Sequence, residues 1–193
     1  NSIFTLNPSV NSAGMGNVGI AHADVRNVFH NPAFAGLKES HYEISHIKWL
    51  PNLTDDMGYQ SMLHTSDMGW SGEIFYFDYG TQVEADAGGI ILGDFESASF
   101  RMSGGYGFGF NDWLVGARLN FYHHNFVDDI DIGMNYGFDI GAYKEFGDTS
   151  VGIVLKDVGG DTEILEQTLN LPTSIGVGVG QKFGNFTLAS DVK

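Results

Sequence analysis

From Ile130 to Ala142 the chain alternates without a break between apolar side chains and glycine or polar ones. The even positions read Ile130, Ile132, Met134, Tyr136, Phe138, Ile140 and Ala142, and the odd positions read Asp131, Gly133, Asn135, Gly137, Asp139 and Gly141. Successive side chains of a strand point to opposite faces, so the pattern predicts one long strand with a greasy face and a polar, glycine-thinned face. Its length exceeds the roughly 5–6 residues usual in globular strands and reaches the roughly 9–11 residues that a tilted strand needs to cross a bilayer.

Two neighbouring stretches repeat the pattern. Ala98, Phe100, Met102, Tyr106, Phe108 and Phe110 alternate with Ser97, Ser99, Arg101, Ser103, Gly105, Gly107 and Gly109. Trp113, Val115, Ala117, Leu119 and Phe121 alternate with Leu114, Gly116, Arg118, Asn120, Tyr122 and His124. About ten residues of alternation per strand is the pattern of an outer-membrane barrel. A soluble sandwich alternates too. Its solvent face usually carries Lys, Glu and Thr, however, whereas here that face is Gly, Ser and Asn with an occasional Arg or Asp, which suits a crowded lumen.

The connections also sort into two kinds. The expected strands are 41–49, 58–66, 70–80, 97–110, 113–125, 130–145, 149–156, 172–183 and 185–193. Every second link is tight: Ser66–Gly69, Asn111-Asp112, Phe146–Asp148 and Gly184, with the Asn, Asp and Gly chemistry of short hairpins. The alternate links, Leu50–Met57, Thr81–Glu96, Phe126–Asp129 and Asp157–Leu171, are expected to be longer. A meander with short turns on one rim and longer loops on the other is the usual plan of bacterial barrels, with the short turns periplasmic. Trp70 and Trp113 each leave a short turn and are expected to share that rim as an aromatic girdle. The reading is an all-β fold: an antiparallel up-and-down transmembrane β-barrel.

Composition narrows the function classes. Charged residues are 17% of the chain, and 27 of 193 residues are glycine. With 9 basic against 24 acidic residues the net charge is −15, which disfavours a nucleic-acid partner. The absence of cysteine removes disulfides and thiolate metal sites. No apolar run of about 18 residues predicts a transmembrane helix. No basic-then-apolar leader opens the chain, so an exported form is expected to begin near Asn1 after leader removal. Asp55, Asp56, Glu84, Asp86, Asp94, Glu96, Asp128, Asp129, Asp161, Glu163 and Glu166 crowd the expected long loops, mainly as solvated surface. A divalent-cation site among them finds no EF-hand-like spacing in support.

Residues 1–40 lack alternation and are expected to form a separate segment, with 41–193 as the barrel strands. The run Ser12-Ala13-Gly14-Met15-Gly16-Asn17-Val18-Gly19-Ile20-Ala21, then Asp24, then Asn31-Pro32-Ala33, resembles the N-terminal segment of the PorV/PorQ family, outer-membrane barrels distantly related to the FadL fatty-acid transporters. Ser45-His46-Ile47-Lys48-Trp49-Leu50 is similar to the family's first strand. Phe138-Asp139-Ile140-Gly141-Ala142-Tyr143, Lys156-Asp157-Val158-Gly159 and Leu171-Pro172-Thr173 with Gly176 follow in the family's order. The resemblance covers most of residues 8–191. It departs where Val25-Arg26-Asn27 replaces small residues and where His30 stands between Phe29 and Asn31.

The resemblance implies that residues 1–40 lie inside the barrel as a plug, with Gly14, Met15, Gly16, Gly19, Asp24, Asn31, Pro32 and Ala33 as its structural motif. Gly14, Gly16 and Gly19 are expected to permit close approach to the wall, and Asn31 to satisfy backbone groups of the irregular segment. It also implies a barrel of about fourteen strands, of which these nine would be a portion, since unpaired edges are not tolerated in hydrocarbon. The implied role is in the bacterial outer membrane, as an accessory or substrate-receiving component of type IX protein secretion. Outer-membrane lipid, secretion-system subunits and secreted proteins would be its partners. A FadL-like channel for hydrophobic small molecules and a purely structural barrel are the alternatives.

Enzymatic motifs are absent. No Gly-x-Ser-x-Gly elbow, Walker loop or His-Glu-x-x-His occurs, and no activity, cofactor or metal is expected. Gly104-Gly105-x-Gly107-x-Gly109 lies within an expected strand and is read as wall-thinning. His123 and His124 would face opposite sides of a strand and so could not chelate one ion.

Overall fold

The computed structural model describes residues 5–52, 54, 56–127, 130–159, 162–164, 167–169 and 173–193, with 126–127, 130–133, 162–164 and 167–169 described by backbone alone. The strands are β1 (His41–Lys48), β2 (Gly58–Thr65), β3 (Trp70–Ala85), β4 (Ile91–Phe110), β5 (Trp113–Val127), β6 (Ile130–Phe146), β7 (Thr149–Gly159), β8 (Thr162–Ile164), β9 (Gln167–Leu169), β10 (Ser174–Phe183) and β11 (Phe186–Val192). Nine of them form one antiparallel up-and-down sheet in the order β1-β2-β3-β4-β5-β6-β7-β10-β11, while β8 and β9 pair as a separate small hairpin. Among the described residues β1 and β11 are the two ends of the sheet and do not pair with each other. No helix of the described chain is long and apolar enough to cross a membrane.

The short connections form the tight turns that their residues predict. Asn111 and Asp112 both take positive φ (47° and 64°), the pair of left-handed residues that a two-residue hairpin requires. The connection at 50–57 is as long as expected, whereas the other longer connections differ. Residues 81–96 are mostly strand, because β3 and β4 continue pairing through Val83↔Asp94 and Glu84↔Gly93. Ladder hydrogen bonds belong to the backbone and tolerate the exposed acidic side chains that mark this stretch as loop. The connection shrinks to 86–90, where the Asp86 carboxylate accepts from the Gly88 and Ile90 amides at 2.8 Å each. The expected loop 157–171 likewise begins in β7 and contains β8 and β9.

The sheet has two unlike faces. Residues 5–37 pack along one, as a short helix α1 (Val10–Gly14) and two 3-10 turns, Val25–Asn27 and Pro32–Leu37. This covered face buries Ser45, Ser61, Glu73, Ser97, Ser99, Arg101, Ser103, Arg118, Asn120 and Asp139. The opposite, bare face exposes Ile44, Met62, Ile74, Met102, Leu119, Met134, Tyr136, Phe138, Ile140, Ile153, Ile175, Val177 and Leu188. In β6 the side chains of Met134, Tyr136, Phe138 and Ile140 are exposed and Gly137, Asp139 and Gly141 are buried, as the alternation predicts. The Ile130 and Ile132 side chains lie outside the described residues, as do Asp55, Asp128, Asp129, Asp161, Glu166, Leu171, Pro172 and the Glu163 side chain.

Candidate functional site

The covered face owes its shape to a row of glycines brought together by strand register. Gly107 of β4 pairs with Gly116 of β5, which pairs with Gly141 of β6. On the next two strands Gly152 of β7 pairs with Gly178 of β10. The N-terminal segment lies on this row at backbone distance. A Cβ would fall 2.4 Å from the Gly36 nitrogen at Gly107, 2.3 Å from the Pro32 oxygen at Gly116 and 2.1 Å from the Ile20 oxygen at Gly152. Real Cβ atoms do not approach so closely, so glycine is required where backbone crosses backbone.

Asn31 is the hinge of this contact. Its side chain caps the 3-10 turn by accepting from the Ala33 amide at 3.1 Å, and its Nδ2 donates to the Ile20 oxygen at 2.9 Å and the Ala142 oxygen at 3.2 Å. One amide thus serves the irregular segment and the sheet together. Pro32 follows at the first position of the turn, and Ala33, Phe34 and Ala35 are buried with Val28 and Leu63. Asp24 caps the other 3-10 turn through the Arg26 amide at 2.8 Å and pairs with the Arg26 guanidinium. Burial pushes the Asp24 carboxyl up, but the Arg26 hydrogen bonds outweigh it and hold the group below its ordinary range.

Gly14 and Gly16 do not have the role expected of them. A Cβ at either would meet nothing within 4 Å; Gly16 instead takes φ +75° in the turn after α1, and Met15 is exposed. Gly19 is close-packed, but against His30 rather than the wall. The close approach is supplied by the wall glycines, because the strands are the surface that must lose its side chains.

A charged cluster beneath the segment was not singled out as a unit by the sequence. Glu73 of β3 bridges Arg101 of β4 and Arg118 of β5, and all three are almost fully buried. Arg101 Nε donates to Glu73 at 2.8 Å; Arg118 donates to Asn120 at 2.8 Å and to Ser103 at 2.9 Å. The Phe29 ring of the N-terminal segment sits among three cations, 4.5 Å from Arg101 Cζ, 5.4 Å from Arg118 Cζ and 4.0 Å from Lys156 Nζ. Lys156 also donates to the Phe29 carbonyl at 2.9 Å. The aromatic quadrupole attracts cations most strongly where water is excluded, so Phe29 pins the segment to the wall. Beside it lies a polar cavity of about 70 Å³ bordered by Arg101, Tyr122, Asp139, Lys156 and Asp157. The signal in the sequence was the two lone arginines at inward positions, but their common partner Glu73 is 28 and 45 residues away from them.

Toward the long-connection end the same face turns aromatic. Tyr59, Phe75 and Phe77 are buried and pack with Leu6, Ile47, Trp49, Met57 and Tyr79. His124 faces this side and bonds to Ser99, while its neighbour His123 pairs across from Met134 on the other strand. At the short-turn edge the Trp70 and Tyr106 rings meet tilted at 51° with centroids 4.7 Å apart, and Trp113 lies 5.5 Å from the Lys144 ammonium. Phe110, Phe146, Phe183 and Phe186 are exposed along the same edge. Among the described residues no group of three or more His, Asp or Glu side chains could hold a metal ion. Comparison with protein-family models finds no match to this chain, and comparison with curated proteins finds none either.

Proposed function

We propose that this chain is the wall and plug of an outer-membrane β-barrel of the PorV/PorQ type, acting as an accessory or substrate-receiving component of type IX protein secretion. The observation that carries the membrane part is the inversion of its two faces. Ionised and hydroxyl side chains are buried beneath the N-terminal segment, whereas the bare face exposes large apolar side chains from β1 to β11. Soluble monomers rarely expose apolar patches above a few hundred Å². Hydrocarbon is the solvent in which such a face is at low free energy. The edge bearing Trp70, Phe110, Trp113, Phe146, Phe183 and Phe186 fits a headgroup-level girdle. In this reading residues 1–40 occlude the lumen and 41–193 supply the wall.

The secretion role rests on the ordered resemblance through Gly14, Met15, Gly16, Gly19, Asp24, Asn31, Pro32 and Ala33. Outer-membrane lipid would then meet the bare face, and secretion subunits and secreted proteins would meet the rims. A second reading, a FadL-like channel for hydrophobic small molecules, is favoured by the apolar lining of Trp49, Tyr59, Phe75, Phe77 and Tyr79 on the covered face. Purification of a tagged chain from its native membranes separates the readings. Recovery with the outer membrane and with large secretion subunits is expected. Outer-membrane recovery with bound aliphatic ligand and no subunits favours the channel, outer-membrane recovery with neither leaves a structural barrel, and recovery in the soluble fraction overturns the membrane assignment.

A further inference from the structure

His30 lies where the two halves of the N-terminal segment cross, and it is 2% exposed. Its Nε2 is 3.0 Å from Asn7 Nδ2 and 2.8 Å from Ser12 Oγ. The Asn7 amide cannot be turned around, because its oxygen accepts from the Ser9 backbone N–H at 2.9 Å and its nitrogen also donates to Asn17 Oδ1 at 3.0 Å. Nε2 therefore faces an obligate donor and has to accept. A doubly protonated ring would set a donor against the Asn7 amide on one side and against Lys193 Nζ on the other, so the docked ring is neutral.

The charged surroundings oppose a second proton. Nδ1 is 3.4 Å from Lys193 Nζ, and the cations of Lys156 from β7 and Arg118 from β5 also act on the ring. Burial and then these three cations hold His30 well below its ordinary value. The Asp191 carboxylate, on the stretch of β11 that leads to Lys193, is turned to the Gly19 and Ile20 amides at 2.7 and 2.9 Å. The half of the segment that carries Asn7 and Ser12 has no titratable side chain between Thr5 and Asn17. From β1, Glu43 holds Ser9 Oγ and the Val10 amide, each at 3.0 Å, and His41 lies 3.7 Å from Glu43.

We infer that His30 makes the docking of residues 5–17 dependent on pH: a proton on Nε2 sets a donor against the Asn7 amide and releases that half of the segment. The released half carries Leu6, which covers the Tyr59–Phe75–Phe77 cluster. Acid therefore uncovers the aromatic part of the face while the half anchored on the glycine row stays in place. The sign follows from proton counting. The undocked ring takes up a proton near its ordinary value of about 6.5, and the docked ring does not. The undocked state binds more protons, so docking is full above about pH 7.5 and weakens as pH falls, by up to about tenfold per pH unit, until the docked value is reached.

The test is amide exchange at Ala13, Met15, Gly16 and Asn17, whose N–H groups are hydrogen-bonded within the docked half. Measured on the full chain in detergent and corrected for intrinsic rates, protection should fall roughly tenfold between about pH 7.5 and about pH 5.5. His30→Gln keeps an acceptor for Asn7 without titrating and should abolish the fall, whereas Glu43→Gln should retain it. The ring shift of His30 in the unsubstituted chain should stay that of a neutral imidazole through about pH 6.5 and titrate only well below it, and this needs no variant to fold. A flat profile, an equal fall in His30→Gln, loss of the fall in Glu43→Gln, or a ring that titrates at its ordinary value of about 6.5 in the docked chain would each overturn the inference.

Discussion

Asn31 and Gly141 occupy space that only a glycine could share: a Cβ on residue 141 would lie 2.0 Å from Asn31 Oδ1. The contact joins the N-terminal segment to the middle of β6. It recurs at Gly116, where the obstacle is the Pro32 backbone itself at 2.3 Å. The Asn31 side chain can shift at the expense of its hydrogen bonds, but the Pro32 backbone, buried between the rest of the segment and the sheet, has no such freedom.

Gly116→Ala is therefore expected to cost more than Gly141→Ala. Overpacking of this kind costs about 1–3 kcal/mol. Limited proteolysis should cleave the N-terminal segment of Gly116→Ala earlier than that of the parent chain. Gly104→Ala, on the bare face with nothing within 4 Å of an added Cβ, is the control. It should change stability by no more than about 0.5 kcal/mol. Equal behaviour of the two alanine variants at 104 and 116 would remove the glycine row from the account.

Glu73→Gln should be among the most destabilising single changes in the sheet. It leaves the Arg101 and Arg118 guanidiniums buried without their carboxylate. Breaking a buried ion pair from one side costs about 3–5 kcal/mol because the remaining charge has no water to return to. Urea-driven unfolding in detergent would read this as a shift in midpoint. A loss under about 1 kcal/mol would mean that water reaches the cluster and screens it, as at exposed pairs.

How much of this was legible in the sequence depends on the range of the interaction. The period of two in β4, β5 and β6 is local, so the strands, their inward and outward faces and the tight Asn111-Asp112 turn could be read directly. The glycine row could not, since Gly107, Gly116 and Gly141 become neighbours only through the register of three strands. The same holds for Glu73 between Arg101 and Arg118. The extension of β3 to Ala85 and of β4 back to Ile91 was hidden because acidic side chains suggest loop while the backbone continues its ladder. In the N-terminal segment the motif residues were visible, but the strain-relieving glycines proved to be in the wall.

Ile140→Arg tests the solvent of the bare face. Ile140 is about half exposed and lies beside Ala117 of β5 in the run of outward apolar residues. In a bilayer, arginine near the midplane of a barrel strand costs about 2–4 kcal/mol. On an exposed face in water the same change should stay within about 0.5 kcal/mol. Refolding into lipid vesicles with a urea series distinguishes these values, and a negligible loss would place the residue in water.

In the proposed membrane setting, the two unlike rims predict a direction for the chain. Asp112 lies in the tight turn between β4 and β5, on the edge that carries Trp70 and Trp113, and Asp86 lies in the opposite hairpin between β3 and β4. If short turns are periplasmic, as in bacterial barrels, then odd-numbered strands up to β7 run outward and Asp86 faces the exterior. Acidic residues on the outer rim, such as Glu84, Asp86 and Asp94, would repel anionic partners over the roughly 8–10 Å that physiological salt permits. The chain has no cysteine, so a single one can be introduced at either position without background. With intact cells and a membrane-impermeant thiol reagent, Asp86→Cys should react and Asp112→Cys should not. The reverse pattern would invert the orientation, placing the aromatic edge outside and the acidic hairpin within the periplasm.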